Sequence, residues 1–177
     1  MKKIKICFYK NSKTLFWKLI RLKQRLVWLP GKYAKYSHCE IQFGEVCVSS
    51  SEVDGWVRVK EIFLNPKNWD VIEMEVPDED YKNMLLFAMQ ELGNSYNWIW
   101  IFFAQILNLN WKWERDWFCS EFVARVLQEK CLLCSYSSLF ISPGKLAYIL
   151  ENNYWFKIQE IKRENLKLVN HLETLKI

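Results

Sequence analysis

Residues Lys3 to Tyr9 alternate apolar and polar positions and are rich in β-formers, which predicts a first strand. Ser12 can cap a helix running to about Leu29, with Leu15, Leu19, Leu22 and Leu26 on one face and Pro30-Gly31 as its stop. Three β-like segments follow, His38–Phe43, Val46–Ser50 and Trp56–Ile62. Gly44-Glu45 and Asp54-Gly55 are the turn signals between them, so a meander is expected. A further strand is expected at Trp69–Val76. After Pro77-Asp78 the pattern becomes helical over Tyr81–Leu92, and Gly93 suits a left-handed cap. Helices are expected at Asn97–Leu109, Trp117–Glu129 and Pro143–Glu151, and a strand plus a helix over Tyr154–Ile177. Strands followed by helices predict an α+β fold in which helices cover one face of an antiparallel meander.

Composition narrows the class. The chain has 177 residues, half of them hydrophobic and 16% aromatic, with only five glycines and four prolines. That predicts one domain over 1–177 with a real core and excludes disorder and low-complexity linkers. The longest apolar run, Trp98 to Leu107, is interrupted by Gln105 and is shorter than the ~20 residues a spanning helix needs, so no transmembrane segment is expected. Six cysteines are too few for a disulfide scaffold, and no charged-then-apolar leader with a cleavage site is visible. A reducing, cytoplasmic compartment is therefore the default expectation.

The net charge of +5 is local. Residues 1–39 hold eleven Lys/Arg and no acid, while the remainder holds fourteen bases against all twenty acids. Such a segment is either a solvated helix face or a contact for an anionic partner such as nucleic acid, membrane lipid or cell-wall polymer. No sequence-specific nucleic-acid recognition is expected.

Only two histidines are present. His171 stands among Asn170, Glu173 and Lys176 and reads as a solvated surface residue. His38 opens a predicted strand in Tyr36-Ser37-His38-Cys39-Glu40-Ile41, where period-2 alternation puts His38 and Glu40 on one face and Cys39 and Ile41 on the other. A plain wet sheet face is the alternative reading. Among the cysteines, Cys7, Cys39 and Cys47 lie in strands, and Cys131 and Cys134 follow a helix end, where the dipole disfavours an anion. Cys119 differs. With Asp116 as N-cap it falls in a first helical turn, where free N–H groups favour a thiolate and can hold an oxyanion. A buried structural thiol is the competing reading. Cys131 and Cys134 have metal-ligand spacing but no second pair and no spare histidine, so no metal is expected.

A thiolate at a helix start beside a strand histidine is the arrangement of papain-like enzymes, but here His38 comes first and Cys119 follows eighty-one residues later. The chain resembles the circularly permuted papain-like branch of the NlpC-type superfamily, the YiiX-like amidohydrolases, which are related to lecithin:retinol acyltransferase-like proteins. The resemblance covers roughly residues 3–150 and leaves 154–177 as an extension. It rests on Ile20-Arg21, on Tyr36 to Ile41, on Ser49 to Arg58 (SSSEVDGWVR), on Leu92 to Trp98 (LGNSYNW), on Trp117 to Val123 (WFCSEFV) and on Ile141 to Leu146 (ISPGKL).

The resemblance implies a permuted papain-like fold, with a meander or barrel-like sheet against helices. It also implies a cysteine peptidase or amidase without metal or organic cofactor, with Cys119 as nucleophile and His38 as general base. Tyr96 would assist the substrate or oxyanion, or else pack on the core. Relatives place the third group about twelve residues after the histidine, where this chain has Ser49 and Ser50. If Gly44-Glu45 makes a two-residue turn, Glu40 faces Ser49 and His38 faces Ser51, all on one face. An ionised carboxylate supports an imidazolium better than a hydroxyl does, so Glu40 ranks ahead of Ser49 and Ser50.

Eight aromatic residues crowd the stretch before Cys119, from Trp98 to Phe118, and serve either the core or an apolar groove. Three functions follow. The first is cleavage of an amide in a peptidoglycan-type peptide, reaching the wall by lysis or a phage particle. The second is acyl transfer or lipid-amide hydrolysis at a membrane surface. The third is a non-catalytic module holding an anionic polymer.

Overall fold

The computed structural model describes residues 1–10, 18, 22, 24–25, 30–96, 116–130, 132–138 and 141–153, and the backbone of 158–160. Its strands are β1 (Lys2–Tyr9), β2 (His38–Phe43), β3 (Val46–Ser51), β4 (Trp56–Glu61), β5 (Trp69–Val76) and β6 (Ile158–Glu160). Its helices are α1 (Asp78–Gln90), α2 (Cys119–Gln128) and α3 (Pro143–Asn153). The strands form one sheet in the order β4-β3-β2-β1-β5-β6, with every neighbouring pair antiparallel. The architecture is α+β.

Alternation explains the layering. Ile4, Ile6 and Phe8 of β1 and Cys39, Ile41 and Phe43 of β2 are buried in one core with Ile72 and Met74 of β5. The helices supply the other side of that core. Eight of the ten residues of α2 are buried, among them Phe122, Val123, Val126 and Leu127, and this helix lies against β2 and β3 between α1 and α3. The opposite sheet face carries a smaller cluster, Cys7, Trp69 and Val71, with Tyr9, Ile62 and Leu64 packed against it.

The two-residue hairpin between β2 and β3 pairs Phe43 with Val46, and Gly44 takes φ = 58° at its first central position, a value that favours glycine. Two helix starts and the form of the sheet depart from expectation. Helix α1 begins at Asp78 because Asp78, Glu79 and Asp80 fill a first turn whose partial positive charge favours acids, ahead of the first apolar position at Tyr81. Helix α2 begins at Cys119, with Phe118 as its N-cap and no side-chain cap bond, so Asp116 is not the cap. The sheet is open among the described strands, with β4 and β6 at its edges, so the barrel-like form is not seen there.

Of the expected N-terminal helix, Lys18, Leu22, Gln24 and Arg25 are helical. The rest of that helix, the helix at 97–109, the aromatic residues from Trp98 to Trp113, Cys131, His171 and most of 154–177 lie outside the described residues. Among those described, no helix is long and apolar enough to cross a membrane.

Candidate active site

His38 opens β2, and the turn before it is tied down on several sides. Asp70, fully buried at the start of β5, accepts from Lys10 Nζ at 2.6 Å, Lys35 Nζ at 2.8 Å and the Tyr36 hydroxyl at 2.8 Å. The Ser37 amide donates to the Tyr9 carbonyl at 2.9 Å, and Gln24 Nε2 donates to the Tyr36 carbonyl at 3.0 Å. Gln24 Oε1 also accepts from Ser142 Oγ and the Gly144 amide, which joins this turn to the start of α3. Two neighbouring strands and a helix thus fix where the imidazole stands.

Cys119 is the first residue of α2, where the helix leaves N–H groups without intrahelical acceptors. Trp117, just before it, is bridged in parallel to Tyr96, and its indole Nε1 donates to Glu91 at 2.7 Å. Ser50 Oγ donates to the Trp117 carbonyl at 2.8 Å, and Ser120 Oγ donates to the Ile141 carbonyl at 2.7 Å. The Cys119 end of the helix is therefore stitched to β3 and to the segment before α3.

These supports bring Cys119, His38 and Glu40 together. The Cys119 sulfur and the His38 imidazole are close enough to shift each other's ionisation, and His38 Nε2 lies 3.1 Å from Glu40 Oε1. Burial works against the imidazolium, yet the Cys119 sulfur and then Glu40 outweigh it and raise His38 to about 10. Burial also penalises the thiolate. The Cys39 thiol, the His38 charge and the Cys39 backbone N–H outweigh that penalty and hold the Cys119 thiol well below its ordinary range. The favoured pair is a thiolate beside an imidazolium.

Glu40 is almost fully buried, and burial would push its carboxyl up. Arg58 reverses this by donating twice, Nη1 to Oε2 at 2.8 Å and Nη2 to Oε1 at 2.7 Å, and His38 adds to the effect, so the carboxyl stays below its ordinary range. Ser49 and Ser50 are engaged differently. Ser49 Oγ donates to the Cys39 carbonyl at 2.8 Å and Ser50 Oγ to the Trp117 carbonyl, so these hydroxyls fasten the segments that carry His38 and Cys119.

Tyr96 is bonded through its backbone N–H to the Gly55 carbonyl at 2.9 Å, between the β3–β4 turn and Trp117. Its hydroxyl is buried and finds no partner among the described residues. Burial, and then the Cys119 charge, push it well above its ordinary value, so it stays a neutral donor. Among the described residues no group of three or more His, Cys, Asp or Glu is arranged to hold a metal.

Two contributors escape sequence reasoning. Cys39, set aside as a strand cysteine, offers both thiol and amide to the Cys119 sulfur, because the core-facing side of β2 meets the first turn of α2. Arg58 lies in a recognised segment, but its partner is two strands away. Extending the hairpin register one strand further, Arg58 pairs with Ser49, and that would have pointed to it. No protein-family model and no curated protein matches this chain.

Proposed function

We propose that the protein is a cysteine hydrolase of the permuted papain-like kind, which cleaves an amide bond through a thioester on Cys119. The observation that carries this reading is a helix-start thiol that interacts with an imidazole whose Nε2 faces a buried carboxylate. The chain order, histidine strand before nucleophile helix, supports the permuted form.

The Cys119 thiolate attacks the amide carbonyl, and the charge moves to the carbonyl oxygen. Backbone N–H groups of the first turn of α2 and the Tyr96 hydroxyl stabilise that oxyanion. His38, braced by Glu40 at Nε2, exchanges the proton with sulfur and leaving group. The imidazolium gives its proton to the departing amine as the carbon–nitrogen bond breaks, leaving the acyl group on sulfur. Water, deprotonated by the now neutral His38, then opens the thioester, which releases the acid and restores the thiolate beside the imidazolium. The sum is amide plus water to acid plus amine.

A peptidoglycan-type stem peptide is the substrate class we favour. Acyl transfer or lipid-amide hydrolysis is the second reading. It draws on Val53 and Trp56, exposed apolar residues flanking the Gly55 carbonyl that holds Tyr96. The test is alkylation of Cys119 by iodoacetamide at neutral pH. A rate roughly tenfold or more above a free thiol, abolished by His38→Ala, is expected. An ordinary rate in the wild type removes the hydrolase reading and leaves a binding module. Product analysis after incubation with peptidoglycan fragments and with lipid amides separates the two substrate classes.

A further inference from the structure

Five side chains of alternating charge form a row from a surface turn to the sulfur: Asp54, Arg58, Glu40, His38 and Cys119. Asp54 Oδ2 accepts from Arg58 Nε at 2.9 Å, so the guanidinium uses one edge on the turn and the other on Glu40. The row crosses three strands. Arg58 of β4 stands opposite Ser49 of β3, whose short side chain turns to the Cys39 carbonyl. The long guanidinium therefore passes over β3 and reaches Glu40 of β2. Both partners of this ion pair are largely withdrawn from water, with 11% of the Arg58 side chain and 2% of the Glu40 side chain exposed.

We propose that Arg58, held in turn by Asp54, is a positioning residue for the thiol chemistry: it keeps the Glu40 carboxylate ionised and turned towards His38, and so decides over what pH range Cys119 acts as a nucleophile. This rests on the cysteine-hydrolase reading and adds to it a residue that touches neither substrate nor sulfur. Without Arg58, a carboxyl buried this deeply would retain its proton to higher pH and give His38 a neutral partner. The bidentate fork also fixes the plane of the carboxylate, which a single donor cannot do.

Few other charges bear on the row among the described residues. Cys7 of β1 stands opposite Glu40, Cys39 is next to it in β2, and Tyr96 interacts with Cys119; the hydrogen bond with Cys47 of β3 and then burial raise Cys7, and burial raises Cys39 and Tyr96, so all three stay neutral. Lys60 of β4 touches only the outer end, 3.7 Å from Asp54. Lys5 of β1 lies near Cys7, Glu52 of the β3–β4 turn acts on Tyr96, and Glu121 sits in the first turn of α2.

The experiment follows iodoacetamide alkylation of Cys119 from about pH 4 to about pH 10, spanning the carboxylate and thiol ranges. Mass spectrometry of the Cys119 peptide keeps the exposed Cys134 out of the signal. Wild type, Arg58→Gln, Arg58→Lys and Asp54→Asn are compared. Arg58→Gln is expected to move the acid limb up by about one pH unit, which is about tenfold less thiolate at a given pH on that limb. Arg58→Lys, which retains charge but not the fork, returns the limb towards wild type while the plateau rate stays lower. Asp54→Asn shifts the limb in the same direction by less.

A profile for Arg58→Gln that superimposes on a fast wild type overturns the positioning role and leaves the hydrolase reading standing. A slow wild type overturns both. If Arg58→Gln does not fold, coincidence of Arg58→Lys and Asp54→Asn with wild type is the overturning result.

Discussion

Replacing Glu40 by Gln preserves the shape and the acceptor that faces His38 Nε2 at 3.1 Å, and removes only the charge. At that separation unit charges interact by about 5 kcal/mol at an effective dielectric constant near 20, which bounds the effect from above. Arg58 lies on the same carboxylate at 2.7 Å and 2.8 Å and already balances much of its field. The value of a hydrogen bond to a charged group, about 1.5–3 kcal/mol, is therefore the better guide. At 1.36 kcal/mol per pH unit this lowers the His38 value, about 10 in the wild type, by about one to two units.

The same loss raises the Cys119 thiol, because thiolate and imidazolium stabilise each other. Alkylation of Glu40→Gln should slow by about tenfold to about a hundredfold on the acid limb, with convergence towards wild type once pH alone ionises the thiol. Nuclear magnetic resonance of the His38 ring reads the other half of the pair. If both the acid limb and the His38 titration match wild type, Glu40 does not support the imidazolium.

Tyr96→Phe should leave Cys119 alkylation unchanged and lower turnover by up to about 10²-fold, the scale for one oxyanion donor, with little loss of melting temperature because the hydroxyl has no partner among the described residues. Unchanged turnover would reject the oxyanion role. Asp70→Asn should destabilise by about 3 kcal/mol near neutral pH, at the low end for a broken buried pair since Lys10 and Lys35 retain some access to water. Burial raises the Asp70 carboxyl, but Lys10, Lys35 and Tyr36 prevail and lower it, so its contribution is complete above the unfolded value and disappears as pH falls through the folded one. Urea melts of wild type and variant should converge in acid; a difference that grows there would contradict the assignment. Phe122→Ala removes a fully buried ring stacked edge-on to Trp117 at 6.2 Å, and should cost about 3–5 kcal/mol in the same assay. A loss below about 1 kcal/mol would mean that α2 is not packed as described.

Local pattern carried much of the fold. Alternation along Lys2–Tyr9, His38–Phe43 and Trp69–Val76 is a property of neighbouring residues, and a strand with one face in the core must show it. The Gly44-Glu45 turn likewise set the register that puts Glu40 near Ser49, because a two-residue hairpin leaves no slack. Cys119 stood out by its place at a helix start, although the start lies three residues beyond Asp116, since caps depend on what surrounds the helix end. Tertiary structure decided the rest. Ser50 holding the Trp117 carbonyl, Cys39 meeting the Cys119 sulfur and Arg58 passing over Ser49 to Glu40 all join residues from different elements. No spacing along the chain encodes such contacts. They arise only when β4 pairs with β3 and α2 docks on β2, for side-chain chemistry across elements depends on packing distance and not on sequence distance.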